Sequence, residues 1–239
     1  MITTTDSLFQ GQLKVIQKKK GYRFSIDAAI LAHHVRLRPT DVAVDLGTGC
    51  GIIPLILSLQ TPSARIYGIE IQEDLAKLAA RNVQANHMEG SVTIIHKDMK
   101  EFRSYLTPGT VDVVFSNPPY RKLLSGRINP EAERAVARHE IKASLSDVVS
   151  VAEGLLKPSG RFVAVYQAER AIDLMVNMRT LKLEPKRIRF IHPRKGAEAI
   201  LTVVEGMKYG NPGLEVDPPF VIYESKEKYT KEARKVMGE

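Results

Sequence analysis

Four short stretches of this 239-residue chain carry residue types that could do chemistry, and three of them end apolar runs in the same way. "VDLGTGCGII" (44–53) puts Asp45 at the end of an apolar run and Gly47, Gly49 and Gly51 ahead of a helical segment. A glycine-rich strand-to-helix turn lets a ligand approach the backbone and meet the amides of a helix N-terminus. The acid in front of it decides which ligand. A carboxylate there would repel a pyrophosphate but suits a positive charge such as an α-amino group. Glu70 ends the next apolar run, roughly 20 residues past the glycine turn, in the position expected to accept from ribose hydroxyls. Asp98 closes a third run with Met99 beside it. This carboxylate can accept from an adenine amine, and the thioether supplies an apolar face. Amino acid, ribose and adenine without phosphate describe S-adenosylmethionine, with S-adenosyl-L-homocysteine as its product. The fourth stretch, "VVFSNPPYRK" (113–122), ends a buried-looking run at Asn117 and then stiffens. Pro118 and Pro119 fix φ and remove backbone donors, leaving an amide and the phenol of Tyr120 at the tip.

Length and composition place this chemistry in an ordinary globular protein, with 44% apolar and 26% charged residues. No apolar run approaches the roughly 20 residues that span a bilayer, and "MITTTDSLFQGQLK" lacks the basic start and long apolar stretch of a signal peptide. A cytoplasmic protein without membrane contact is expected. Cys50 is the single cysteine, so neither an internal disulfide nor a cysteine cage can form. The six histidines show no metal-ligand spacing, and no metal is expected. The net charge of +8 favours a polyanionic partner. Residues 1–40 hold seven bases against two acids, and Arg121, Lys122, Arg127, Arg134, Arg138 and Lys142 follow the proline motif.

The elements that must position these residues alternate. Ser25 reads as the N-cap of a helix over "IDAAILAHHV". Strands are expected at 41–46, 65–71, 92–98, 111–116, 161–167, 187–192 and 198–206. Helices are expected at 51–60, with Pro54 in its first turn, at 73–86, at 145–156 and near 169–181. "PRKGA" joins the last two strands as a hairpin. An extended "PPFVIYE" and a charged helical end complete the chain. Strands separated by crossover helices imply an α/β fold: a doubly wound, Rossmann-like, mostly parallel sheet of seven strands with an antiparallel C-terminal hairpin. Residues 1–239 read as a single domain. Residues 1–40 form a basic N-terminal extension, and the polar 117–143 segment is long enough to need a functional reason.

In this order, "DLGTGCG", Glu70, Asp98 and "NPPY" resemble class I S-adenosylmethionine-dependent methyltransferases of the branch that methylates planar amino nitrogens. In that fold strand order reverses between the first and fourth strands, so the resemblance sets Asn117 to Tyr120 beside the cofactor's methyl group. An exocyclic amine is a poor nucleophile because its lone pair is delocalised into the ring. Two acceptors, the Asn117 side-chain oxygen and the Pro118 carbonyl, would hold its hydrogens and stabilise the charge that develops. Tyr120 would stack on the base, a contact worth about 1–3 kcal/mol. No general base is implied.

"GYRFSIDAAILA" (21–32) is similar to the N-terminal motif of the nucleic-acid adenine enzymes, with Phe24, Ser25 and Asp27 at the positions that approach the cofactor's methionine part. Over nearly its whole length, through "ARHE" (137–140) and "PRKGAEAILTVVEG" (193–206), the chain resembles bacterial tRNA (adenine-N6) methyltransferases acting beside the anticodon of a valine tRNA. The implied substrate is the N6 amine of adenosine in tRNA. Lys18, Lys19, Lys20, Arg121, Lys122, Arg127 and Arg138 would flank the crevice where a phosphate backbone lies, with Arg194 and Lys195 adding to them. Ribosomal RNA adenine-N6 or guanine-N2 methylation and protein-glutamine N5 methylation are the alternatives within enzymes, and a non-catalytic RNA-binding module is the alternative outside them. A monomer is compatible with the sequence.

Overall fold

The computed structural model describes residues 3–18, 26–118, 144–226 and 228–238. Its centre is a mixed sheet of ten strands: β3 (Val42–Leu46), β4 (Arg65–Glu70), β5 (Val92–His96), β6 (Val111–Ser116), β7 (Leu156–Gln167), β8 (Leu183–Arg194), β9 (Leu201–Lys208), β10 (Glu215–Val216), β11 (Phe220–Ser225) and β12 (Lys228–Tyr229). The order across it is β12-β11-β8-β9-β7-β6-β3-β4-β5, with β10 beside β8. The seven expected strands form its contiguous heart. β3 to β7 pair in parallel, and β9 runs antiparallel between β7 and β8. The extended tail adds β11 in parallel to β8 and turns back through β12.

Both faces are covered, as the near-continuous apolar strands require. On one face lie α1 (Ile26–His34), α2 (Ile52–Gln60), α3 (Glu73–Ala85) and α6 (Lys231–Met237), closing a core around Val113, Phe115, Val163 and Val165. On the other lie α4 (Leu145–Leu155) and α5 (Ala171–Thr180), packed on Val44, Leu46, Val114 and Phe162. Pro54 sits in the first turn of α2, where its missing N–H costs nothing. A full capping box, Ser144 with Asp147, starts α4. Among the described residues no helix is long and apolar enough to cross a membrane. The expected cap at Ser25 lies outside the described residues.

One element went unforeseen: a separate hairpin of β1 (Thr3–Leu8) and β2 (Leu13–Lys18), inside what reads in sequence as a basic extension. It does not join the large sheet. Two asparagines four residues apart, Asn82 on α3 and Asn86 at its C-cap, hold it instead. Asn82 accepts from the Ile16 N–H at 2.7 Å and donates to the Ile16 carbonyl at 2.9 Å. Asn86 repeats the pair with Lys14, at 2.8 and 2.7 Å. The two side-chain amides thus do for the free side of β2 what a neighbouring strand would do. Asn82, wholly buried, also donates to the Cys50 carbonyl at 2.9 Å and so links the hairpin to the glycine turn.

Asn82→Ala removes three hydrogen bonds and leaves buried backbone groups of β2 and Cys50 unpaired. The expected loss of stability by urea unfolding is about 2–4 kcal/mol, with amide exchange accelerating first in residues 13–18. Uniform acceleration, or a loss under about 0.5 kcal/mol, would show that the asparagine does not hold the hairpin.

Candidate active site

The register of the sheet builds the site. Asp45 on β3 lies level with Gly68 on β4 and Phe115 on β6, and Phe115 is level with Val163 on β7. One two-residue step beyond that row, at the carboxyl edge, come Glu70, Gly47 and Asn117. The strand order reverses here, β4 lying on one side of β3 and β6 on the other, which is where an open α/β sheet leaves a crevice. The hydroxyl of Ser116 donates to the Leu46 carbonyl at 2.8 Å and ties the end of β6 to the end of β3. Asn117 is half-buried and Pro118 buried at the tip.

The glycine turn is made of left-handed residues. Gly47, Gly49 and Gly51 have φ of 81°, 59° and 83°, a region costly for residues that carry a Cβ. The Gly47 and Thr48 N–H groups both donate to the Ile69 carbonyl. Glu70 then clamps the turn: one carboxylate oxygen accepts from the Gly49 N–H and the other from the Gln72 N–H, both at 2.9 Å. Glu70 therefore shapes the loop as well as standing where the ribose acceptor was expected. Gly68 is required from below, since a Cβ there would lie 2.9 Å from the Thr48 hydroxyl.

Asp45 is completely buried, and among the described residues neither of its oxygens accepts a hydrogen bond. The Thr48 hydroxyl close by is likewise without a partner. Burial pushes the Asp45 carboxyl up to about 7; the Thr48 hydroxyl draws it back in part and the Glu70 charge adds to the rise. A folded protein seldom keeps a buried carboxylate unpaired unless something outside the chain completes it. A ligand ammonium at this strand end would do so, and the donor set therefore fits the amino-acid part of S-adenosylmethionine. Asp98 caps the 3-10 turn Met99–Ser104, its carboxylate accepting from the Lys100 N–H at 2.9 Å, and Met99 lies half-buried at the start of that turn. Both stand at the same sheet edge, one strand beyond Glu70.

Asp27 is half-buried in the first turn of α1, on the Asp45 face of the sheet. Of the expected RNA contacts, Lys18 ends β2 with its ammonium 3.6 Å from Asp74. Arg194 and Lys195 are exposed at the β8–β9 turn, and the Arg194 guanidinium lies 5.9 Å from the Tyr223 ring centre. β8 runs parallel to β7, so this turn shares the edge of Asn117. Phe24, Ser25, Lys19, Lys20, Tyr120, Arg121, Lys122, Arg127 and Arg138 lie outside the described residues. Sequence reasoning missed Thr48, whose side chain packs over Gly68 beside Asp45, and Ser116, whose hydroxyl ties β6 to β3. A hydroxyl inside a glycine turn, and one at the last position of an apolar run, were the available signals. Cys50 belongs to the same turn without reactivity, since burial pushes its thiol up to about 11.

A cavity of about 200 Å³ lies elsewhere, between α1 and strands β7 to β9. Two of its three arginines are paired, Arg187 with Asp217 at 2.6 Å and Arg189 with Glu232 at 2.8 Å. Burial lowers the lining His34 to about 4, so it is neutral. Among the described residues no group of three or more histidine, cysteine or acidic side chains could hold a metal.

Folded, Asp45 holds its proton up to about pH 7; unfolded, it releases it near its ordinary 3.8. The folded state therefore binds the extra proton between these values, and its stability falls as pH rises through the window. The cost is complete above about pH 7 and on the order of 4 kcal/mol. Asp45→Asn is expected to raise the ligand-free melting temperature by several degrees at pH 8 and by little at pH 4. An equal gain at both pH values would contradict a buried carboxylate without a counter-charge.

Comparison with known proteins agrees with this geometry. The model of the family described as "methyltransferase small domain" matches residues 21–181. A Porphyromonas gingivalis protein named tRNA1(Val) (adenine(37)-N6)-methyltransferase is 32% identical over 66% of this chain and 63% of its own length. The chain thus spans just under two thirds of that relative. A Dyadobacter fermentans protein of the same name is 24% identical over 89% of this chain and 87% of its own. Among solved structures, a predicted O-methyltransferase from Agrobacterium tumefaciens superposes with a TM-score of 0.72 at 18% identity, covering 88% of this chain and 94% of that one. Geranyl diphosphate C-methyltransferase from Streptomyces coelicolor, solved with S-adenosyl-L-homocysteine, superposes at 0.57 and 15% identity over 76% of each chain. With its glycine turn, its reversed strand order and a family match over two thirds of its length, the chain belongs to the methyltransferase small domain family.

Proposed function

We propose that this protein transfers the methyl group of S-adenosylmethionine to the exocyclic N6 amine of an adenosine in the anticodon loop of a tRNA. The observation that carries the reading is the pairing of two features in one crevice. Asp45, buried and without a hydrogen-bond partner among the described residues, calls for a ligand ammonium, and one step up the neighbouring strand stands Asn117, followed by Pro118. Relatives named for tRNA adenine-N6 methylation support the choice of amine. The excess of basic residues supports a polyanionic partner.

Bound S-adenosylmethionine would supply an electrophilic methyl group; the rest falls to the chain. The Asn117 side-chain oxygen and the Pro118 carbonyl accept the two amine hydrogens. They fix the nitrogen and stabilise the positive charge that grows on it as its bond to carbon forms. The Pro118 ring fixes φ, so its carbonyl is set in advance, and the Ser116–Leu46 bond holds the clamp against the cofactor strand. The proton leaves from a nitrogen already made acidic by alkylation, so no side-chain base is needed. A base beside the anticodon is unpaired, which makes swinging it into the crevice cheaper than from a duplex. Lys18, Arg194 and Lys195, with the basic residues of 19–20 and 121–138, would follow the phosphates.

Incubation of the protein with methyl-labelled S-adenosylmethionine and total RNA, followed by nucleoside analysis, tests this. N6-methyladenosine confined to tRNA is the expected product. Label in ribosomal RNA, in N2-methylguanosine or only in protein would each replace it with another amine substrate. Asn117→Ala is expected to lower turnover by at least about 100-fold while the affinity for S-adenosyl-L-homocysteine stays within about threefold.

A further inference from the structure

We propose that Gln167, the last residue of β7, reads the base edge beside the reacting amine; this rests on the functional reading above. β7 is the neighbour of β6 on the side away from β3. Ser116 pairs with Ala164, so Asn117 is level with Val165 and Gln167 lies two residues further toward the carboxyl edge. Val163, Val165 and Leu201, the β9 residue level with Gln167, all face the core that also holds Phe115 and α1. By strand alternation Asp45, Asn117 and Gln167 therefore share one face of the sheet. A two-residue rise and one strand spacing put the Asn117 and Gln167 backbones about 8 Å apart. A purine held by its amine at Asn117 falls within reach of a glutamine side chain at that distance.

Among the described residues the fold makes no use of the amide. Gln167 stands at the N-cap of a one-turn 3-10 helix, Ala168–Arg170, where a side chain could cap the turn, yet it makes no capping bond. Among the described residues its side chain has no hydrogen-bond partner, although it is half-buried. Its neighbours are committed: the Ala168 N–H donates to the Ile200 carbonyl at 3.1 Å, and Arg170 pairs with Asp173 at 3.0 Å while lying over Tyr166. A half-buried amide left unpaired at the mouth of a crevice is suited to an uncharged polar ligand. Ring nitrogens N1 and N7 flank the N6 amine of adenine, and both are acceptors. An N–H from Gln167 to either would orient the ring without altering its charge. An isolated glutamine amide, which has no ring, offers no partner for this contact.

The test uses the whole protein and anticodon stem-loop RNAs carrying adenosine, 1-deazaadenosine or 7-deazaadenosine at the methylated position. Gln167→Ala is expected to lower kcat/KM on the adenosine RNA by about 10- to 100-fold, with S-adenosyl-L-homocysteine affinity and melting temperature unchanged. Gln167→Glu, an acceptor facing an acceptor, is expected to fall lower still. One of the deaza substrates should cost the wild type the same factor and cost Gln167→Ala nothing further, the signature of a direct contact. Activity of Gln167→Ala within twofold of wild type on adenosine, or equal sensitivity of both proteins to each deaza substitution, overturns the assignment and leaves tRNA methylation standing. A wild type that labels no RNA fails on the functional reading instead.

Discussion

The site is organised around a carboxylate that the fold buries and leaves uncompensated. Asp45 sits in the middle of the sheet between β4 and β6, beneath a turn whose Thr48 hydroxyl is close but, among the described residues, makes no hydrogen bond to it. Natural proteins meet such an arrangement in one of two ways, by protonation or by an external partner. Here the carboxyl is poised between them, with its pKa pushed up to about 7. The fold carries the cost because the surrounding rows are otherwise tightly satisfied. Phe115 and Val163 beside Asp45 are fully buried, and Gly68 brings the Thr48 side chain up against the strand. A preformed need for positive charge is a source of specificity, because ligands lacking that charge leave the carboxylate as it was.

Rigidity of the turn comes from side chains that reach across elements. Glu70 holds Gly49 from the end of β4, Asn82 holds Cys50 from α3, and Ser116 holds Leu46 from β6. Three left-handed glycines in one turn carry a large conformational freedom, and these three bonds remove it from three directions. The same Asn82 also holds β2. The hairpin outside the sheet and the turn inside it are therefore anchored through one buried amide, and movement of one is felt by the other.

Much of the architecture was legible in the sequence because parallel strands buried on both faces must be nearly all apolar. "DVAVDL", "VTIIHKD" and "VDVVFS" could be little else between helical segments. The Asp45, Glu70 and Asn117 positions were legible for a related reason, since polar residues closing apolar strands stand out. The N-terminal hairpin left no such trace. β1 is "TTTDSL", and β2 buries Gln17, hydrogen-bonded to Asp6, so polar residues occupy places where alternation would show apolar ones. Its docking depends on Asn82 and Asn86, which continue the helical spacing of Leu75 and Ala79, and nothing in that spacing shows that they pair with a strand. "KPSG" reads as a turn but lies inside β7, with Ser159 in the left-handed region at φ 61°. Two residues of β11 and β12 that meet across strands, Tyr223 and Tyr229, stack at 5.0 Å, a contact visible only once the tail is known to turn back.

The strand rows also divide labour by polarity. The lower row meets the crevice with the Asp45 carboxylate, which suits an ammonium; the step above it carries the Asn117 amide and the Glu70 carboxylate, whose oxygens already accept from the Gly49 and Gln72 N–H groups. The step above that ends β7 with another uncharged amide. Among the described residues, Arg194 and Lys195 stand exposed at the β8–β9 turn and Lys18 ends β2. A cation on the floor would pair with Asp45 and compete with the ligand ammonium, whereas at the rim, in high dielectric, it attracts phosphate without perturbing the pKa within. A cation at the rim is thus compatible with the buried carboxylate at the centre, whereas one on the floor is not.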